Sequence, residues 1–160
     1  MREELLRLIE HNSRIDLAEL AVLLGSTEAA VANEIADLEA SGIISGYYTL
    51  INWDNTDEEK IDAIIEVSAA TQREVGFDTI AEKIYRFDEV KACYLLSGTY
   101  DFMIILEGRT MRQVAKFVAS KLSPIEYVTG TATHFIMKRY KDYGTILGEK
   151  KKDEREKVSF

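Results

Sequence analysis

The chain is 160 residues long, 46% hydrophobic and 30% charged, with a net charge of -8, which suits one domain or two small ones around a packed core. Its lone cysteine, Cys93, excludes an intrachain disulfide framework and a multi-cysteine zinc site. No run approaches the roughly 18 to 20 uncharged apolar residues of a membrane span, and the N-terminal MREELLRLIEHN is a charged amphipathic segment rather than a signal peptide, so the expected location is cytoplasmic.

In chain order, Leu5, Leu8 and Ile9 fall on one face of a helix from Arg2 to Asn12. A second helix lies in SRIDLAELAVLLG, with Asp16 as its N-cap, Leu17, Leu20, Ala21 and Leu24 at i, i+3, i+4 and i+7, and Gly25 as a left-handed stop. Thr27 caps a third helix, whose buried stripe is Val31, Ile35 and Leu38 and which runs to Gly42. IISGYYTLI then reads as a small hairpin around Ser45-Gly46. Helix, helix, turn, helix and hairpin make a winged helix-turn-helix domain over residues 1–52. The acidic NWDNTDEEK, with Trp53 as a packed anchor, marks a linker over residues 53–60.

From 61 to 143 the pattern alternates. IDAIIEVSA is strand-like, FDTIAEKIYRF carries a helical stripe of Ile80, Ile84 and Phe87, and VKACYLLSG and YDFMIILEG are apolar strands around Gly98-Thr99. TMRQVAKFVASKL is helical again and VTGTATHFIMKRY is a final strand. The order β-α-β-β-α-β predicts a ferredoxin-like domain, so the fold class is α+β. Apolar residues on both faces of YLLSGTYDFMIIL suggest that a second subunit covers the sheet face without helices. Cys93 reads as a buried small hydrophobe, and residues 144–160 as a charged tail, solvated or disordered.

Charge is spread unevenly. Residues 1–52 hold three basic side chains, Arg2, Arg7 and Arg14, against nine acidic ones, while residues 138–157 hold eight basic against five acidic. The first domain should repel phosphate at long range, and only the C-terminal end should attract it.

The segment EVKACYLLSGTYDFMIILEG, with SRIDLAELA, GIISGYY and HFIMKRYK in the same order and spacing, resembles the Lrp/AsnC (feast/famine) family of regulators over residues 1–143. The resemblance implies a DNA-binding first domain and a second domain that assembles homodimers and then larger rings such as octamers. It also implies a small effector, commonly an amino acid, near the Gly-x-Tyr-Asp turn. Carried onto this chain, the effector site comprises Gly98, Thr99, Tyr100 and Asp101, with Thr131 and Thr133 supplying hydroxyls from the last strand. Gly98 would permit a tight turn, and Asp101 would meet an ammonium group. The alternative is that Asp101 caps the turn and Tyr100 packs.

DNA reading would fall to Thr27, Glu28, Ala29, Ala30 and Asn33 at the start of the third helix, with Arg14 and Tyr47, beside Tyr48, near the backbone. Typical members often carry Arg or Lys where this helix has Asn33, Glu34, Ala36 and Asp37, so little phosphate attraction is expected from it. Two other readings stay open. One is an effector- or protein-binding module whose acidic helix-turn-helix does not bind DNA. The other is a relative of the tetrapyrrole decarboxylases that share this fold, for which the chain offers only His11 and His134. No catalytic constellation, metal-ligand cluster or cofactor motif is expected.

Overall fold

In the computed structural model, which describes residues 1–70 and 76–148, contacts divide the chain into two units, Met1–Thr49 and Leu50–Phe160. The first unit holds α1 (Arg2–His11), α2 (Leu17–Leu23) and α3 (Glu28–Ala40). Asp16 starts α2 by accepting the Glu19 N–H at 2.7 Å, and Thr27 starts α3 by accepting the Ala30 N–H at 3.2 Å, each satisfying a donor the helix leaves open. Gly25, at φ +59°, ends α2, and the Ser26 and Gly25 N–H groups return to the carbonyls of Ala21 and Val22. That pair of bonds is a Schellman stop, which fixes the turn between α2 and α3. Leu5, Leu20, Ala21, Val31 and Leu38 form the core, with Ile35, Leu24 and Ile44 packed around it.

The hairpin expected at Ser45-Gly46 does not form: residues 43–50 contain no strand. Gly46 lacks the positive φ of a two-residue hairpin turn, and the local polar groups turn back onto the end of α3. The Ile44 N–H donates to the Leu38 carbonyl, the Ser45 hydroxyl to the Gly42 carbonyl, and the Tyr47 hydroxyl to Glu39. The helix-turn-helix is present within an α+β chain; the wing is an extended segment without a ladder.

The second unit contains β1 (Ile61–Ala69), α4 (Phe77–Tyr85), β2 (Val90–Leu95), β3 (Phe102–Gly108), α5 (Met111–Phe117) and β4 (Val128–Phe135). A wider π-type turn, Val118–Leu122, extends α5. The sheet order is β2-β3-β1-β4 with every neighbouring pair antiparallel, the ferredoxin-like arrangement. Alternation along β1 and β3 sends Ala63, Ile65, Val67, Phe102, Ile104 and Leu106 to the helix side, where they pack with Ile80, Ile84, Val114 and Leu122. Burying each large aliphatic here contributes about 1.5–3 kcal/mol. Phe77 meets Phe102 edge-on with ring centroids 5.7 Å apart, and Phe87 meets Phe117 likewise at 5.3 Å, which orients both helices on the sheet. The opposite face presents Ile64, Met103, Ile105, Ala132 and Tyr94, partly or fully exposed in the single chain. Cys93 is half-buried, and burial raises its thiol pKa above the ordinary value, consistent with packing rather than reactivity.

Gly108 lies where Val114 of α5 packs against the end of β3. A Cβ there would stand 2.9 Å from Val114 Cγ2. Gly108→Ala is expected to cost about 1–3 kcal/mol through overpacking, read as a lowered urea midpoint with an unchanged slope.

Two boundaries differ from expectation. Residues 53–60, expected as a linker, lie in the second unit: Trp53–Asn55 forms a 3-10 turn, and the Lys60 ammonium sits over the Trp53 ring, 3.8 Å from its centroid. The last strand ends at Phe135, and β5 (Lys141–Asp142) pairs with β6 (Thr145–Ile146) in a short hairpin. Tyr143 and Gly144 both take positive φ, 41° and 79°, as a type I′ turn demands. The Asn52 side-chain amide donates to the Leu147 carbonyl at 3.2 Å and ties this hairpin to the start of the unit. The tail expected over 144–160 is therefore partly folded as far as Gly148, and its remainder lies outside the described residues. Among the described residues no helix is long and apolar enough to cross a membrane.

Candidate nucleic-acid interface and effector site

On α3 the charges are not where a linear reading puts them. Val31 and Leu38 are fully buried and Ile35 partly so. Opposite that stripe, Ala29, Asn33, Ala36 and Ala40 recur at i, i+4, i+7 and i+11, and all four are exposed. The outward stripe is thus small, neutral and carries one amide. Glu34, expected to face solvent, instead flanks the core: it forms an ion pair with Arg2 of α1 and keeps only 19% of its side chain exposed. Glu39 accepts a 2.8 Å hydrogen bond from Tyr47. That bond, ahead of desolvation and the repulsion of Glu39's charge, raises the phenol pKa above its ordinary value. Glu28 sits in the first turn, where the helix dipole favours a carboxylate. Asp37 alone stands exposed beside the outward stripe without a recorded partner.

The remaining candidates divide. Thr27 spends its hydroxyl on the cap, and its backbone, with those of Glu28 and Ala29, forms the exposed helix start; Ala30 is half-buried. Arg14 is exposed, as is Arg7, whereas Arg2 is engaged by Glu34. Tyr47 is held by Glu39, while Tyr48 is 91% exposed. The Arg2–Glu34 pairing, spanning 32 residues, leaves no local signal. The alanine stripe does: its spacing is legible once the buried stripe is fixed.

At the other candidate, residues 96–101 form a six-residue turn between β2 and β3 rather than a tight turn at Gly98-Thr99. The Leu96 N–H donates to the Asp101 carbonyl, and the Asp101 N–H to the Val67 carbonyl. Gly98 does not take a positive φ, and nothing lies within 4 Å of where its Cβ would be, so the longer turn does not require glycine there. Thr99 is exposed and Tyr100 half-buried. Asp101 Oδ2 accepts the Ala69 N–H at 2.8 Å, beside the register shift between Ser68 and Ala69. One carboxylate oxygen therefore clamps the end of β1. Asp101→Ala would leave that amide unpaired and is expected to lower stability by about 1–3 kcal/mol, with Asp101→Asn recovering most of it in the same urea titration.

Thr131 and Thr133 stand opposite Val67 and Ile65 and so belong to the helix side of the sheet, Thr131 Oγ1 lying 3.4 Å from Ser123 Oγ. Asp101 precedes Phe102, which takes the helix side, so alternation sends Asp101 the other way. The turn and the two threonines share one end of the sheet but not one face of a single chain. Two cavities of the second unit lie elsewhere. One of about 420 Å³ lies between α5 and the far end of β3, where Lys121 holds the Glu89 carboxyl below its ordinary pKa. The other, of about 230 Å³, lies beside Trp53 and the C-terminal hairpin. His134 pairs with Glu66 on the helix-free sheet face at 3.2 Å, and His11 ends α1 in the first unit, exposed.

The Lrp/AsnC ligand binding domain matches residues 62–146. An HTH-type transcriptional regulator of Bacillus subtilis, YugG, is 41% identical over 157 residues, covering 98% of this chain and 95% of its own. The leucine response regulatory protein of Mycobacterium tuberculosis is similar in fold, with a TM-score of 0.73 at 20% identity over 89% of this chain and 94% of that one. A transcriptional regulator of Neisseria meningitidis, solved as its L-methionine complex, has a TM-score of 0.70 at 21% identity over 88% and 90% of the two chains.

Proposed function

Because the chain belongs to the Lrp/AsnC family of helix-turn-helix transcriptional regulators, we propose that α3 is its DNA-reading helix and that Asn33, with the exposed backbone at Thr27–Ala29, makes the base-edge contacts. The observation that carries this is the neutral outward stripe of Ala29, Asn33, Ala36 and Ala40. Two of the four acidic side chains of α3 are engaged within the unit, Glu34 by Arg2 and Glu39 by Tyr47, while Glu28 stays exposed in the first turn. A helix faced with alanines can approach base edges closely, and an amide can pair with adenine in two hydrogen bonds. Arg14 and Tyr48 supply what contact there is with the backbone, so non-specific affinity is low.

An effector of amino-acid size acts at the end of the sheet that carries Gly98, Thr99, Tyr100 and Asp101. Thr131 and Thr133 lie on the other face, so they take no part in that site within one chain. The helix-free face, with Ile64, Met103 and Ile105 partly exposed, supports a homodimer packed sheet to sheet, and linked heads raise the effective concentration at paired half-sites. Assembly to a higher oligomer such as an octamer is the further step. The relatives are transcriptional regulators rather than enzymes, and the tetrapyrrole reading is set aside. An electrophoretic shift on the DNA upstream of the chain's own coding sequence, with unrelated DNA as competitor and with and without L-amino acids, tests the reading. A specific complex whose affinity changes with one amino acid is expected; no complex at low ionic strength would end it.

A further inference from the structure

The second unit holds a small cavity that the turn site does not use, and its chemistry is specific. Trp53 and Lys60 line it, with the ammonium 3.8 Å from the indole centroid and 3.1 Å from Glu107 Oε1. Arg139, paired with Asp62, lines it as well. Ile51, Met111, Met137 and Leu147 contribute apolar lining. A lysine has three donors and an arginine five, so one carboxylate partner apiece leaves donors over for an incoming acceptor. A volume of about 230 Å³ falls below the roughly 300–1,000 Å³ of drug-sized sites, which excludes a nucleotide and suits a small metabolite.

We propose that this cavity is a second ligand site, for an α-amino acid with an apolar side chain. Its carboxylate takes the spare donors of Lys60 and Arg139, its ammonium faces the Asp62 carboxylate, and its side chain enters the apolar walls. Residues 51–54, which line the cavity, follow immediately on the first unit in the chain. The Asn52–Leu147 hydrogen bond ties them to the C-terminal hairpin. Ligand binding therefore stiffens the segment by which the chain leaves the DNA-binding unit. That consequence rests on the regulator reading; the site itself does not.

Trp53 is the only tryptophan, so its fluorescence reports the cavity directly. The full chain is titrated with each of the twenty L-amino acids, alongside isothermal calorimetry. A saturable change in Trp53 emission is expected with apolar amino acids, weakened at least tenfold in Arg139→Gln. Because that substitution breaks an ion pair, Met111→Glu serves as the second variant. Met111 is 47% exposed at the first position of α5, where a carboxylate suits the helix dipole but repels the ligand's own. Both variants are expected to lose the signal while Tyr100→Ala, at the turn, keeps it. Loss in Tyr100→Ala with retention in both cavity variants would overturn the proposal and leave the turn site standing. Silence in both fluorescence and calorimetry for all twenty would also overturn it. A DNA shift measured on the same preparations fails or succeeds independently, so collapse of the regulator reading is distinguishable from collapse of this site.

Discussion

Asn33→Ala is expected to weaken binding to the chain's own operator by about tenfold to a hundredfold per half-site while leaving affinity for unrelated DNA unchanged, since one bidentate base contact discriminates by about 1–3 kcal/mol. The size follows from isolation. Asn33 is the one polar side chain on the outward stripe, with Ala29, Ala36 and Ala40 around it, so no neighbour can substitute for its amide. Fluorescence anisotropy against operators changed one base pair at a time should show the discrimination lost at a single position. Equal losses on specific and random DNA would mean that Asn33 touches phosphate and that another group reads sequence.

Leu38→Ala is expected to destabilise the first unit by about 2–5 kcal/mol, the cost of a buried leucine plus the cavity it leaves. Leu38 is fully buried in a core of only five such residues, and a unit this small buries too little surface to absorb that loss. Heating should then show the first unit melting well before the second, whose core is separate, and DNA binding should vanish while amino-acid binding survives. A single unshifted transition would show that the core of the first unit does not depend on Leu38.

The helices were legible in the sequence because local chemistry decides them. Asp16, Thr27 and Gly25 occupy cap positions whose hydrogen bonds are made within a few residues, and the stripes of α3 and α4 need only their period. The sheet order follows from β-α-β-β-α-β. What local pattern could not reveal was set at a distance. Arg2 reaches Glu34, and Asn52 reaches Leu147 across 95 residues; with Tyr47 bound back to Glu39, these contacts decide which acids are engaged and where the wing segment goes. The hairpin at 141–146 was hidden for another reason: its turn is Tyr143-Gly144, and a tyrosine at positive φ is a weak hairpin signal beside Asn-Gly. At the turn, Gly98 takes no positive φ and Asp101 spends an oxygen on Ala69, which no spacing rule discloses.

That the acidity of α3 lies beside its reading face rather than on it is tested most directly by operator affinity across a salt series. Each phosphate contact contributes about -0.9 to the slope of log affinity against log salt, so two heads whose one charged backbone contact is Arg14 should give a slope of about -2, well short of a protein making six to ten contacts. A specific complex with that shallow slope, tightened modestly by Asp37→Asn and not by Glu34→Gln, is the expected result. No complex at low salt, or one formed only after Glu34 and Asp37 are both replaced by Arg, would contradict it and leave an effector-binding module that does not touch DNA.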